Sequence, residues 1–372
     1  MSYHCAMVDV RFMLFIVFLL AFLVQLYFLL VIFIPLSKFK EPNSHFSSGV
    51  SVVVCGYNEA KYWNQLVDQL LKQDYEQYEI VLVNDQSTDD TKYIFKQWEG
   101  HPKIKIVNIA KDIKKGIGKK FALTLGIKAA KYEYLLLTDA DCLPKNQYWI
   151  RSMTQHFSNK EIVLGYGGYY KQKGLLNQLI RFDTFLVALQ YFSFALKGRA
   201  YMGVGRNLVY KKSVFFDNRG FASHLHIPSG DDDLFIKEVS NSTNTAIILD
   251  ANSHTLSEPK TSYLAWIQQK TRHITTASHY KLYHQCLLAA WSTSQLLFWV
   301  LFIVMLSTDY FRLYGIALFF IRLVVQLIII RPIMKKIDEE DLIFYYPFLE
   351  IILNVFYLIF MLNRLIFRKQ FW

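Results

Sequence analysis

The chain opens with an uncharged apolar run from Phe12 to Leu36. At 1.5 Å of helical rise per residue such a run exceeds the roughly 30 Å hydrocarbon core of a bilayer. It predicts a transmembrane helix rather than a signal peptide, whose apolar stretch is shorter and leads into a small-residue cleavage site. A polar linker, residues 41–49, leads into a regular alternation. Strands are expected at Val50–Val54, Glu79–Asn84, Ile104–Asn108 and Tyr134–Thr138. Between them the pattern predicts helices at Ala60–Gln73, from the capping cluster Asp85–Asp90 through Trp98, and at Phe121–Lys131, the last preceded by a basic glycine-containing loop, Lys111–Lys120. Strands separated by helices predict an α/β layer built on a mostly parallel sheet.

Beyond Pro144 the pattern loosens. Gly174–Leu196 is apolar but interrupted by Gln178, Arg181, Asp183 and Gln190, so a helix lying in the interface or packing in the core is expected there. Ser262–Tyr283 is polar and aromatic, and its residues Gln269, Arg272 and His273 share one helical face. Three apolar spans follow, Leu287–Leu306, Leu313–Ile330 and Phe344–Leu362, each near the length needed to cross. This divides the chain into an N-terminal anchor (1–40), a globular domain (41–284) with interfacial segments near 174–196 and 262–283, and a C-terminal transmembrane region (285–372). Lys38, Lys40, Arg331, Lys335 and Lys336 place the globular domain in the cytoplasm by the positive-inside rule. Arg364, Arg368 and Lys369 then fall on the wrong side, and Glu350 and Asn354 interrupt the last span, so either that span is re-entrant or unusually paired or one of the spans is not a crossing.

Composition agrees with a chain partly in lipid: 53% of its 372 residues are hydrophobic and 19% charged. The net charge of +11 is scattered rather than gathered into a stripe, which points to an anionic bilayer surface and away from nucleic acid. Cys5, Cys55, Cys142 and Cys286 form no Cys-x-x-Cys pair, so neither a zinc site nor a disulfide framework is expected.

The candidate chemistry is acidic. Asp139 and Asp141, at i and i+2 where an apolar strand ends, project from one face and can offer hard oxygens to one Mg²⁺ or Mn²⁺; the alternative is a solvated turn. In parallel sheets ligands bind beyond the carboxyl ends of the strands, and Asn58, Glu59, Asp85, Asp139 and Asp141 all fall there. Asp231, Asp232 and Asp233 open a further helix, where capping competes with chemistry as their role. Gly203, Gly205 and Arg206 lie in a turn whose glycines read as backbone clearance. His279 and the remaining histidines lack metal-ligand spacing.

Taken in order, Val-Ser-Val-Val-Val-Cys-Gly-Tyr-Asn-Glu at 50–59, Val-Asn-Asp-Gln-Ser-Thr-Asp-Asp-Thr at 83–91, Gly-Lys-Lys at 118–120, Asp-Ala-Asp at 139–141, Gly-Asp-Asp-Asp at 230–233 and Gln-Lys-Thr-Arg-His at 269–273 resemble the membrane-bound family 2 glycosyltransferases with the GT-A fold. The resemblance runs from about Val50 to His279. It implies a Rossmann-like cytosolic domain between transmembrane helices, in a bacterial cytoplasmic membrane with the site facing the cytoplasm. It further implies a nucleotide-sugar donor, a UDP-sugar by family habit, held by Asn58, Glu59, Asp85, Lys119, Asp139, Gln269 and Arg272. Asp139 and Asp141 would bind the metal, Asp232 would be the general base of an inverting transfer, and Asp231 and Asp233 would cap or orient. Gly205, Arg206, Asp231 and His273 would meet a lipid or lipid-linked acceptor. His273 departs from the family's usual Trp, which bears on the acceptor. A processive polysaccharide synthase and a non-catalytic membrane scaffold are the alternatives; the intact acidic set argues against the scaffold.

Overall fold

A computed structural model describes residues 2–366 apart from 43, 45, 111–117 and 228; most of the predicted basic loop, and Arg368 and Lys369, lie outside the described residues. The apolar N-terminus is a single rod: α1 (Ser2–Tyr27), a π-helical stretch (Phe28–Phe33) and α2 (Ile34–Lys38). The widened stretch runs up to Pro35, which has no N–H for the ladder and whose ring crowds the preceding turn. The carbonyls left over at the end of α2 are met from far along the chain. Lys336 Nζ donates to Leu36, Ser37 and Phe39 at 3.2, 2.8 and 2.6 Å, a cation at a helix C-terminus where the dipole favours it. The linker is docked as well, with Glu41 Oε1 accepting from the Leu249 and Asp250 N–H groups at 2.6 and 3.1 Å.

The globular part alternates as expected: β1 (Val50–Gly56), α3 (Ala60–Leu71), β2 (Tyr78–Asn84), α4 (Thr91–Lys96), β3 (Ile104–Asn108), α5 (Gly118–Ala129) and β4 (Tyr134–Asp139). Then come β5 (Cys142–Pro144), α6 (Trp149–Thr154), β6 (Ile162–Leu164), β7 (Gly167–Tyr169), α7 (Leu175–Leu196), β8 (Leu208–Lys211), α8 (Lys212–Asp217), α9 (Asp233–Val239), β9 (Thr245–Ile247), β10 (Thr255–Ser257) and α10 (Tyr263–Ile274). The main sheet has the order β3-β2-β1-β4-β8-β6-β9; β1 to β4 are parallel and β8 is antiparallel to both its neighbours. A second sheet, β5-β10-β7, lies beside it. β1 is buried along its whole length, which is why its sequence is continuously apolar rather than alternating.

Both faces of the sheet are covered. On one, α3 presents Trp63, Leu66, Val67 and Leu70, spaced as a single helical stripe, together with Phe95 and Trp149. On the other, α5 comes so close that a Cβ on Gly126 would lie 2.7 Å from Val83 and 2.9 Å from Val53. The register sets Cys55 opposite Asp139 and Gly56 opposite Asn84. Three strand ends therefore stop side by side at one edge.

Among the described residues five helices are long and apolar enough to cross a membrane: Val10–Lys38, Leu175–Leu196, Leu282–Leu306, Arg312–Lys336 and Glu340–Arg364. The second, α7, is the segment whose polar interruptions predict something else. It is buried within the chain and joins the sheet to the apolar helices. Its Arg181 is bound by Glu339 and Asp341 at 2.8 and 2.6 Å. The last three are α11 (Leu282–Leu306), α12 (Arg312–Lys336) and α13 (Tyr346–Ile366).

The conflict over the last span has a structural answer. Glu350 is paired with Arg322 of α12. The segment before α13 is tied to the globular part through Glu339 and Asp341. Its final turn is tied there too: Asn363 donates to Thr271 Oγ1 at 2.9 Å and Arg364 to the Ile274 carbonyl at 3.1 Å. α13 thus begins and ends against the globular domain.

Candidate active site

Asp139 closes β4 and Asp141 lies two residues later. Lys119 meets Asp139 Oδ1 at 2.6 Å and Asp231 Oδ2 at 3.0 Å, joining the strand end to the acidic cluster before α9. Lys119 and Lys120 lie in the first turn of α5, which starts three residues before the predicted position. Cations are unfavourable at a helix N-terminus, so both must find anions or carbonyls. Burial works against the Lys119 charge, yet Asp139 and Asp231 hold its pKa well above the ordinary value. Lys120 turns away and pins the His224 and Ile227 carbonyls at 2.6 and 3.0 Å. Of the two, Lys119 serves the site.

Asp232 is the N-cap of α9: its Oδ1 accepts the Asp233 N–H at 2.7 Å, and its Oδ2 accepts the Gly205 N–H at 2.7 Å, while Asp233 Oδ1 takes the next N–H, of Leu234, at 2.7 Å. Gly230, at φ +95°, supplies the turn that makes this possible. Asp231 pairs with Lys119, which draws its pKa down although burial raises it. Asp233 accepts from the Tyr280 hydroxyl at 2.7 Å and so fixes the turn after α10. Burial first, then Asp231 and Asp233, lifts Asp232 to about 7. Glu59 is lifted to about 7 by burial and by Asp141.

The oxygens of Asp139 and Asp141 and the sulfur of Cys142 lie within 4.8 Å of one another. Burial pushes the Cys142 thiol well up, and it bonds to Ser257 Oγ at 2.9 Å. A protonated thiol is a poor ligand for a hard cation, whereas two adjacent carboxylates suit Mg²⁺ or Mn²⁺. The donor set fits such an ion through Asp139 and Asp141.

A cavity of about 620 Å³ gathers Glu59, Lys119, Asp139, Asp141, Gly205, Arg206, Asp231, Asp232, Gln269, Arg272 and His273. Arg206 lies over the Tyr169 ring at 4.6 Å, and Gln269 reaches the Tyr169 hydroxyl at 3.5 Å. His273 is exposed on the cavity wall beside Lys270 and Arg272. Asn58 and Asp85 stand outside the lining. Asn58 Oδ1 accepts from the Thr88 N–H at 2.7 Å, bracing the loop after β2, and its φ of +57° is one that Asn tolerates. Asp85 comes directly after β2 with its N–H on the Gly56 carbonyl at 3.0 Å. The clearance expected of the glycines is real at Gly203, where a Cβ would press on Ile236, Leu164 and Leu208 at 3.2 Å. At Gly205 it would meet Asp232 at an ordinary 3.4 Å, so that residue's contribution is its N–H.

Within the capping cluster expected at Asp85–Asp90, the side chain that binds both helix starts is Asp89. Its carboxylate accepts from Ala60 N–H at 2.9 Å and from Thr91 Oγ1 at 2.6 Å, tying the starts of α3 and α4 together. The Asp-Asp-Thr at 89–91 carries that signal as a helix start.

Residues 51–217 match the family model described as Glycosyl transferase family 2. The chain is 35% identical over 124 residues to Glycosyltransferase GlyG of Streptococcus pneumoniae, covering 32% of this chain and 39% of that protein. It is 34% identical over 93 residues to the poly-beta-1,6-N-acetyl-D-glucosamine synthase of Staphylococcus epidermidis, covering 25% and 22%. The alignments thus span well under half of either relative. Among solved structures, the mannosyltransferase PcManGT from Pyrobaculum calidifontis, in complex with GDP-Man and Mn²⁺, superposes with a TM-score of 0.57 at 17% identity, covering 93% of this chain and 98% of that one; the likeness is one of fold. With the strand order, the edge of carboxylates and the family match in agreement, residues 51–217 are a glycosyl transferase family 2 domain of GT-A fold.

Proposed function

We propose that the chain is a membrane-embedded, metal-assisted, inverting glycosyltransferase that moves a sugar from a nucleoside-diphosphate donor to a hydroxyl of a lipid or lipid-linked acceptor. The observation that carries this reading is one cavity lined both by carboxylates from four separated stretches, Glu59, Asp139 and Asp141, Asp231 to Asp233, and Glu258, and by residues of the apolar helices. Asp139 and Asp141 would hold Mg²⁺ or Mn²⁺, which when bound supplies positive charge for the departing diphosphate. Lys119 and Arg272 add charge at that end, while Glu59 and Asp85 border the nucleoside. Asn58 acts through the loop it braces. The acceptor oxygen attacks the anomeric carbon, the bond to the diphosphate breaks with its electron pair, and the hydroxyl proton passes to Asp232. Single displacement inverts the anomeric centre.

Thr184, Val187, Leu288 and Tyr357 line the part of the cavity that α7, α11 and α13 contribute. This favours an acceptor with a hydrocarbon part. Val187→Trp and Leu288→Trp should each cut transfer to a long-chain lipid about tenfold or more by filling that end, and leave donor hydrolysis within about twofold. Equal loss of both activities counts against the lipid route.

Membranes containing the protein, given a panel of labelled nucleotide sugars with Mn²⁺, should place one label in the lipid extract. Label in a polymer instead supports the second reading, a processive synthase, which the second relative's name motivates. Asp139→Ala, or chelation of the metal, should lower turnover about 10²-fold or more. Full donor turnover in both Asp139→Ala and Asp232→Asn proteins would sink the catalytic reading.

A further inference from the structure

We infer that Asp183, buried in α7, is a positioning residue for α10: it clasps Lys270 of α10 and Tyr357 of α13 and so sets how Gln269, Arg272 and His273 face the acidic cluster. Asp183 is 1% exposed. The Tyr357 hydroxyl donates to its Oδ1 at 2.6 Å, and the Lys270 ammonium pairs with its Oδ2. Lys270 and Tyr357 both line the cavity.

The geometry makes this more than an incidental ion pair. Residues 269–273 occupy little more than one helical turn, so an anchor at Lys270 orients the turn bearing all three site residues. Nearer its start α10 is held by non-directional packing. Trp266 sets its ring among Phe356 and Phe360 of α13 at centroid distances of 5.0 and 5.3 Å, contacts that tolerate sliding and rotation. The other fixed points are neutral acceptors and a turn: Thr271 and Ile274 of α10 accept from Asn363 and Arg364 of α13, and past its end Tyr280 donates to Asp233. A buried pair of charges is weak as a source of stability, and its retention is better explained by the geometry it specifies.

The inference rests on the transfer reading for its kinetic consequence, but not for its structural one. The decisive variant is the double Asp183→Asn/Lys270→Met, because removing both charges leaves no unpaired ion that would unfold the protein. Two measurements are made on the full chain in detergent or nanodiscs: hydrogen exchange of peptides covering 263–274, and KM for the donor in the hydrolysis reaction. Exchange across α10 should accelerate while α11 and α12 stay protected, and the donor KM should rise about tenfold. Lys270→Arg, which keeps the pair, should stay within about threefold of wild type, and Tyr357→Phe, which loses one hydrogen bond, should fall between them. Wild-type KM in the double variant, with or without faster exchange, overturns the positioning role. If the wild-type protein turns over no donor, the transfer reading fails, and unchanged exchange across α10 is then the result that overturns the clasp.

Discussion

Asp232→Asn should lower glycosyl transfer by about 10²- to 10⁴-fold, the range a positioned general base contributes. The carboxylate is well placed for the role. Each oxygen accepts one backbone N–H, from Asp233 and from Gly205, at 2.7 Å, which fixes its orientation and leaves a lone pair on each for a substrate proton. Burial and the neighbouring Asp231 and Asp233 outweigh those N–H bonds and the Lys119 charge, and lift its pKa to about 7. A base of that strength is matched to neutral pH. Below about pH 7 the carboxyl is protonated and cannot accept, so kcat/KM should rise with pH through that value and then level off. Stability runs the other way. The folded state holds an extra proton between the ordinary Asp pKa and about 7, so this residue's contribution to stability falls as pH rises through that window. Initial rates from about pH 5.5 to about 8.5, bracketing neutrality, check the prediction, and the rising limb should vanish in the variant. The amide also has only one acceptor for two N–H groups, so the variant's melting temperature must be recorded beside its rate; a loss of about 1–3 kcal/mol from the mismatched bond is expected. A folded variant with wild-type transfer removes Asp232 from the mechanism.

Much of this site is legible in the sequence because its signals are local. Continuous apolarity at Val50–Val54 requires a strand buried on both faces, and parallel strands deliver the residues after them to one edge of the sheet. That logic alone brings Glu59 and Asp139 to one cavity and Asp85 to the same edge of the sheet, outside the lining. The interruptions Arg181 and Asp183 likewise argue for a helix lying in the interface or packed in the core, and α7 is buried within the chain. The features that escape depend on partners distant in sequence. Nothing near Lys119 and Lys120 says which faces the site; the choice is made by Asp231 and by the carbonyls of residues 224 and 227, roughly a hundred residues away. Strands β5, β6, β7, β9 and β10, three residues each, are too short for periodicity to register. They exist because neighbours pair with them. The sequence assigns chemistry to Asp232 and capping or orienting to Asp231 and Asp233; that the N-cap of α9 is Asp232 itself is a choice capping preferences cannot rank among three adjacent aspartates.

Glu350→Leu should be the most damaging substitution outside the site, costing about 3–5 kcal/mol of stability, because it strips a buried cation of its counter-charge. Arg322 and Glu350 are 2% and 1% exposed at the side chain, in helices whose outer faces are apolar. The guanidinium grips the carboxylate in a fork, Nη2 to Oε1 at 2.6 Å and Nη1 to Oε2 at 3.1 Å, and it lies 4.6 Å from the Phe298 ring. Gln295 Nε2 and Trp299 Nε1 also donate to Glu350, at 2.6 and 3.2 Å, and Arg322 reaches Gln25 Oε1 at 3.1 Å. One carboxylate thus draws α1, α11, α12 and α13 to a common point. Removing it leaves a guanidinium that can neither deprotonate nor reach water. Removing both charges is a different experiment: Arg322→Met/Glu350→Leu restores an apolar interior, and Gln25 keeps its bond to Ser294 at 2.6 Å. The double variant should therefore recover most of the loss, short of the full value because Gln295 and Trp299 forfeit their acceptor and Gln25 Oε1 its donor. Thermal unfolding and size-exclusion profiles in detergent measure both. Should the double variant prove as unstable as the single, the carboxylate is a structural keystone through Gln295 and Trp299 rather than through charge; should the single behave as wild type, water reaches Arg322 and the helices are looser there than their packing indicates.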